Sequence, residues 1–104
     1  MDNYNTDSEG FLLNYEDWDM DFCQHTADIE SIQMNNEHII VIIFLRRYFV
    51  QNRKSPAIRQ FVSSLKKEHG ENIGNSLKLQ MLFPTSPAVQ AAKLAGLPKP
   101  KRCI

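Results

Sequence analysis

The chain closes on AGLPKPKRCI, residues 95–104, and the chemistry available there centres on Cys103. The thiolate is the reactive form, and a free cysteine titrates near about 8.5, so only a few per cent is thiolate at neutral pH. Lys99, Lys101 and Arg102 surround Cys103 in sequence and favour the anion. At roughly 7 Å in water one such charge contributes about 0.6 kcal/mol, and salt reduces that. The carboxylate of Ile104 opposes it, so the net effect is a pKa lowered by about one unit or less. Cys103 is therefore expected to be an available, moderately activated thiol, suited to a carrier whose partners complete the activation. The bland alternative is an incidental terminal cysteine. Prenylation is excluded, because the cysteine stands second from the end rather than fourth.

The other reactive side chains give weaker patterns. Cys23 follows Phe22 in an acidic stretch, where carboxylates raise a thiol's pKa, and is expected to be structural. With two distant cysteines and no C-x-x-C, neither a disulfide framework nor a zinc site is expected, and a reducing, cytoplasmic setting follows. His25, His38 and His69 have no ligand spacing, so no metal is expected. Phosphate-loop, dinucleotide-binding and nucleophile-elbow motifs are absent. Neither a signal peptide nor a run long enough to span a membrane is present.

Charge is divided along the chain. Residues 1–45 carry ten carboxylates and no Lys or Arg, whereas residues 46–104 carry all twelve Lys and Arg with only Glu68 and Glu71. Either the basic half faces an anionic partner such as RNA, or the halves neutralise each other within one fold.

The elements that position Cys103 are expected to be helical. The 104 residues fit one domain. Asp7-Ser8-Glu9-Gly10 is a turn signal before Phe11-Leu12-Leu13, predicting a short strand whose polar partner would be residues 3–6. Trp18, Phe22 and Ile29 fall at helical spacing within 16–30. Asn36 is a candidate cap for a long helix through Gln51, apolar on nearly every side and so the expected central element. Ser55-Pro56 reads as cap and first helical position, before a buried stripe of Ile58, Phe61, Val62 and Leu65. The helical pair meeting at 51–55 also admits a helix-turn-helix reading. Asn75-Ser76 caps a short helix stopped by Pro84, and Ser86-Pro87 opens a last helix to Gly96. Leu97-Pro98-Lys99-Pro100 favours an extended conformation. The expected division is a single domain at 1–96 and a flexible arm at 97–104.

Four blocks now carry a resemblance: SPAIR at 55–59, GNS at 74–76, LFP at 82–84 and QAAKLAGLPKPKRCI at 90–104. In order and spacing they resemble the TusE/DsrC family over nearly the whole chain. The resemblance implies a mainly α fold with a small N-terminal β-meander (α+β), a helical array and a mobile C-terminal arm. It implies that Cys103 carries sulfur as a covalent persulfide with no other cofactor. Lys99, Lys101 and Arg102 then assist the arm and its thiolate, and Arg59 and Lys93, within matched blocks, are candidates for docking.

The family has two branches. DsrC proper, partner of dissimilatory sulfite reductase, has a second arm cysteine eleven residues earlier, where this chain has Ala92. The TusE branch keeps only the terminal cysteine, and Ala92 favours it. That branch implies a cytoplasmic sulfurtransferase taking persulfide sulfur from a TusBCD-like complex. It would pass sulfur to an MnmA-like thiouridylase for 2-thiouridine at tRNA wobble positions, without tight nucleic-acid binding of its own. The alternatives are a gamma-subunit-like partner of sulfite reductase and a non-enzymatic regulatory or DNA-binding helix-turn-helix module. Departures from the family pattern include Val89 where a lysine is usual, Leu77-Lys78-Leu79-Gln80-Met81 where an aromatic and basic stretch is usual, and a shorter N-terminus.

Overall fold

The structure is a computed structural model and describes residues 4–100. A hairpin-like turn and one 3-10 turn at Tyr15–Asp17 precede five α-helices. These are α1 (Met20–Ile29), α2 (Asn36–Asn52), α3 (Ile58–His69), α4 (Ser76–Leu82) and α5 (Pro87–Leu94).

The N-terminal turn is closed by Asp7, whose carboxylate accepts from the amides of Glu9 and Phe11 at 2.9 and 3.0 Å. Gly10 supplies the positive φ (+93°) that the turn requires. Among the described residues the β pairing is a single antiparallel bridge, Thr6 to Leu12. The molecule is mainly helical, and the expected meander is reduced to that bridge. The physical reason is visible in the partner segment, Tyr4-Asn5-Thr6, which has no alternating apolar face to extend a ladder. Phe11 and Leu12, both buried, fasten the turn to the body.

Helix starts follow side-chain capping, with some shifts from expectation. Asp19 caps α1 by accepting from the amide of Phe22 at 2.8 Å. The helix therefore begins at Met20 and leaves Trp18 outside it, and Ile29 is exposed rather than packed. Asn35, not Asn36, caps α2, and His38 returns the bond by accepting from the Asn35 amide at 3.1 Å. The α3 helix starts at Ile58 without a side-chain cap, because Ser55 is used elsewhere. Asn75 caps α4 as expected, and Pro87 stands at the first turn of α5.

The core contains Val41, Ile42 and Leu45 of α2, Phe61 and Leu65 of α3, Leu79 of α4, Phe83, and Leu94 and Leu97 at the end of α5. The expected central helix, α2, does bury Val41, Ile42, Phe44, Leu45 and Phe49, but its Ile43 and Val50 are exposed. The element that touches all four other helices is α5. Its small face explains this, since Ala91 and Ala92 let neighbouring backbones approach closely. Among the described residues, no helix is long and apolar enough to cross a membrane.

Candidate functional site

The chain leaves α5 at its C-terminal end, where carbonyl groups run out of helical partners. Gly96 (φ +72°) turns the chain, with its amide donating to the Lys93 carbonyl at 3.2 Å and the Leu97 amide to Ala92 at 3.0 Å. This is a Schellman ending. Glycine is required twice over: for its φ, and because a Cβ there would lie 2.6 Å from Cδ1 of Trp18.

Three carbonyls around this turn are caught by donors from distant segments. The Trp18 indole N–H donates to Leu94 at 2.8 Å. Arg46 donates to Ala95 at 2.8 Å and, with its other terminal nitrogen, to Tyr15 at 3.0 Å. The Ser55 hydroxyl donates to Pro98 at 2.6 Å. The Arg46 guanidinium also lies over the Trp18 ring, 4.4 Å from its centroid. A cation at a helix C-terminus and over an indole face is favourable on both counts. Burial lowers the pKa of Arg46, yet a guanidinium remains cationic at neutral pH.

The clamp holds residues that the sequence division places beyond the domain. Leu97 is wholly buried and Pro98 is hydrogen-bonded, although the sequence division assigns both to the flexible arm. Lys99 is exposed and pairs with Glu9 at 3.4 Å. Cys103, Lys101 and Arg102 lie outside the described residues.

Of the two docking candidates, Arg59 is exposed on α3 and forms no ion pair with the described residues. Lys93 is placed differently. Its side chain is 17% exposed, and its ammonium pairs with Glu30 at 2.9 Å and lies 5.7 Å from the Phe11 ring centroid. Glu30 is held below the usual carboxylate pKa by hydrogen bonds from Gln90 and then Lys93. Lys93 thus ties α5 to α1 and to the N-terminal turn. The pairs Glu30–Lys93, Glu37–Lys78 and Glu9–Lys99 each join the acidic half to the basic half.

Cys23 is fully buried, with its sulfur 3.7 Å from that of Met34. Burial pushes its thiol up to about 11, which makes it inert near neutrality. Ala92 is buried too and supplies no second thiol on α5. Among the described residues, no group of His, Cys, Asp and Glu could hold a metal ion. Trp18, Arg46 and Ser55 were not legible as a clamp. The available hints were a lone tryptophan and the first arginine after an apolar run.

Fold and site together define a class of small, mainly helical protein whose last helix ends in a turn clamped by Trp18, Arg46 and Ser55. The particular family follows from comparison. The chain belongs to the DsrC-like family, whose model, "DsrC like protein", matches residues 1–104. It is 44% identical over 99 residues to the Haemophilus influenzae "Sulfurtransferase TusE homolog", covering 95% of this chain and 91% of that one. It is 39% identical over 103 residues to "Sulfurtransferase TusE" of Buchnera aphidicola, covering 99% and 90%. Among solved structures, Allochromatium vinosum DsrC superposes with a TM-score of 0.89 at 38% identity, covering 97% of this chain and 90% of that one. The oxidized gamma-subunit of dissimilatory sulfite reductase (DsrC) from Archaeoglobus fulgidus gives 0.80 at 33% identity, covering 97% and 92%.

Proposed function

We propose that this chain is a sulfur-relay sulfurtransferase in which Cys103 carries the sulfur. The sulfurtransferase character agrees with relatives at 39–44% identity that bear that name. The assignment to Cys103 rests on one observation: the other cysteine, Cys23, is fully buried with its thiol pushed up to about 11.

The chemistry needs one thiol and no redox partner. The Cys103 thiolate attacks the outer sulfur of a donor persulfide, the S–S bond of the donor breaks, and the donor leaves as a thiolate. Cys103 is then a persulfide. An acceptor cysteine attacks the outer sulfur in the same way, takes it, and regenerates the Cys103 thiolate. Lys99, Lys101 and Arg102 favour the thiolate at each stage. The proline-rich arm costs less entropy to order in a partner's cleft than a glycine linker of equal length. A TusBCD-like complex is the proposed donor, and an MnmA-like thiouridylase with its tRNA the proposed acceptor, within the cytoplasm. Ala92 disfavours two-cysteine chemistry in the manner of a sulfite reductase partner.

Intact-mass analysis after incubation with a persulfide donor tests the assignment. An adduct of about 32 Da should form on the wild type and on Cys23→Ala, and vanish in Cys103→Ser. An adduct that survives Cys103→Ser and maps to Cys23 overturns it.

A further inference from the structure

Two clefts lie on the face formed by α2, α3 and Pro98–Pro100. One, about 630 Å³, runs between α2 and α3 and is lined by Arg47, Lys54 and Lys67. The other, about 550 Å³, sits at the arm root and is lined by Arg53, Lys54, Lys99 and the Ser55 of the clamp. Tyr48, Lys54 and Gln60 line both, so the clefts form one trough that ends where the clamp releases the chain.

Its charge is one-sided. Glu68 is the carboxylate of the lining, and it is already paired with Arg47. Arg53 donates to the Tyr15 hydroxyl at 3.2 Å and Lys99 pairs with Glu9. Lys54 and Lys67 are exposed and form no ion pair with the described residues.

Chain length then decides what must cover this trough. Pro98 is fixed, and Cys103 follows five residues later. Five residues extend at most about 18 Å. Given the relay reading above, on which this inference rests, any protein exchanging sulfur with Cys103 must bring its reacting group within roughly that distance of the clamp. Its surface must therefore meet the ground around Pro98.

We infer that the trough is the docking surface for the sulfur-exchanging protein, and that the matching patch on that protein is acidic. A polynucleotide suits it less well. Three cations without a carboxylate partner among the described residues, Arg53, Lys54 and Lys67, fall short of the roughly 6–10 phosphate contacts of a salt-sensitive nucleic-acid binder. The carboxylates of residues 1–45 that are not paired with a lysine also repel an extended polyanion more than they repel a local acidic patch, because screening sets in beyond about 8 Å.

Two measurements test this. In the first, the full chain is titrated with a hexaglutamate peptide at about 50 mM salt and followed by amide NMR. Shifts should concentrate at Lys54, Gln60 and Lys67. Shifts elsewhere, or none, overturn the proposal. Tighter binding of a single-stranded oligonucleotide of equal charge at the same residues overturns it in favour of RNA. This result does not depend on sulfur chemistry.

The second compares loading of Cys103 by a persulfidated TusBCD-like complex with loading by inorganic polysulfide, which needs no protein surface. In Lys54→Glu/Lys67→Glu the ratio of complex-driven to polysulfide-driven loading should fall about ten-fold or more. In Lys66→Glu, outside the trough, it should stay at the wild-type value. An unchanged ratio in the double variant, or an equal fall in Lys66→Glu, overturns the proposal. Wild type that accepts sulfur from polysulfide but never from the complex counts against the donor assignment, and the NMR titration still decides the trough.

Discussion

The N-terminal turn and the arm root are both short irregular segments on the same body, fastened by opposite means. Residues 5–13 fold on themselves through the Asp7 carboxylate, Gly10 and one bridge. Their partners lie within a few residues. The segment Leu94–Pro98 is fastened from outside, by Trp18, Arg46 and Ser55, which stand 76, 49 and 43 residues from the carbonyls they bind. The hydrogen bonds of a locally closed turn fix its shape, and its place on the body comes from side chains, the buried Phe11 and Leu12 and Lys93 against the Phe11 ring. A segment caught by three separate elements has its direction fixed relative to the whole core. A segment that delivers a thiol to a partner, as proposed above, needs that second property.

The difference can be broken most strongly by truncation. Removing residues 97–104 takes away the wholly buried Leu97 and the Ser55–Pro98 bond, and should cost about 3–4 kcal/mol. Removing 99–104 loses, among the described residues, the exposed Lys99–Glu9 pair and should cost about 0.5 kcal/mol or less. Thermal melts of the two shortened chains give both values, while sulfur acceptance should be lost in each. Equal melting points would place the end of the fold at Gly96, as the sequence division has it.

Gly96→Ala comes next. A left-handed alanine costs about 1–2 kcal/mol, and the 2.6 Å approach to Trp18 adds overpacking. Chemical denaturation should show a loss of about 2–3 kcal/mol, and a loss below about half of that would mean Trp18 moves aside freely.

Ser55→Ala sharpens the comparison by deleting one external fastener. It should destabilise by about 1 kcal/mol, with hydrogen exchange at the Lys99 amide rising more than at Leu13 in the N-terminal turn. Uniform exchange changes at both would deny Ser55 a local role. The smallest effect belongs to Glu9→Gln, where the two segments meet through Lys99. At these exposures the change should stay within about 0.5 kcal/mol and diminish further in high salt.

Much of this fold was legible because its signals are local. Asn75 and Pro87 announce their helices, and Phe61 and Leu65 of the expected α3 stripe are buried, although Ile58 at its start is exposed. Failures came where a residue had two possible uses. Ser55 before Pro56 looks like a helix cap, but its hydroxyl goes to a carbonyl 43 positions away, so α3 starts later. Trp18 fits the spacing of a helical stripe, yet Asp19 caps α1 and frees the indole for α5. Lys93 reads as a surface cation and is instead drawn to Glu30. Periodicity reports which face is apolar; it carries no information about which remote backbone group needs a donor. The candidate site divides the same way: Cys103 stands out from its neighbours in sequence, whereas the clamp on Leu94, Ala95 and Pro98 exists only once the chain has folded.

Trp18 is the single tryptophan of the chain. Its indole touches the helix end through the N–H and the Arg46 guanidinium through the ring. Fluorescence excited selectively at tryptophan, over the three tyrosines, is therefore a local optical signal emitted from beside the turn at Gly96. Any event that pulls on Leu97 or shifts Arg46 changes the polarity and quenching around one fluorophore. The molecule carries its own label at the place where engagement with a partner would first be felt.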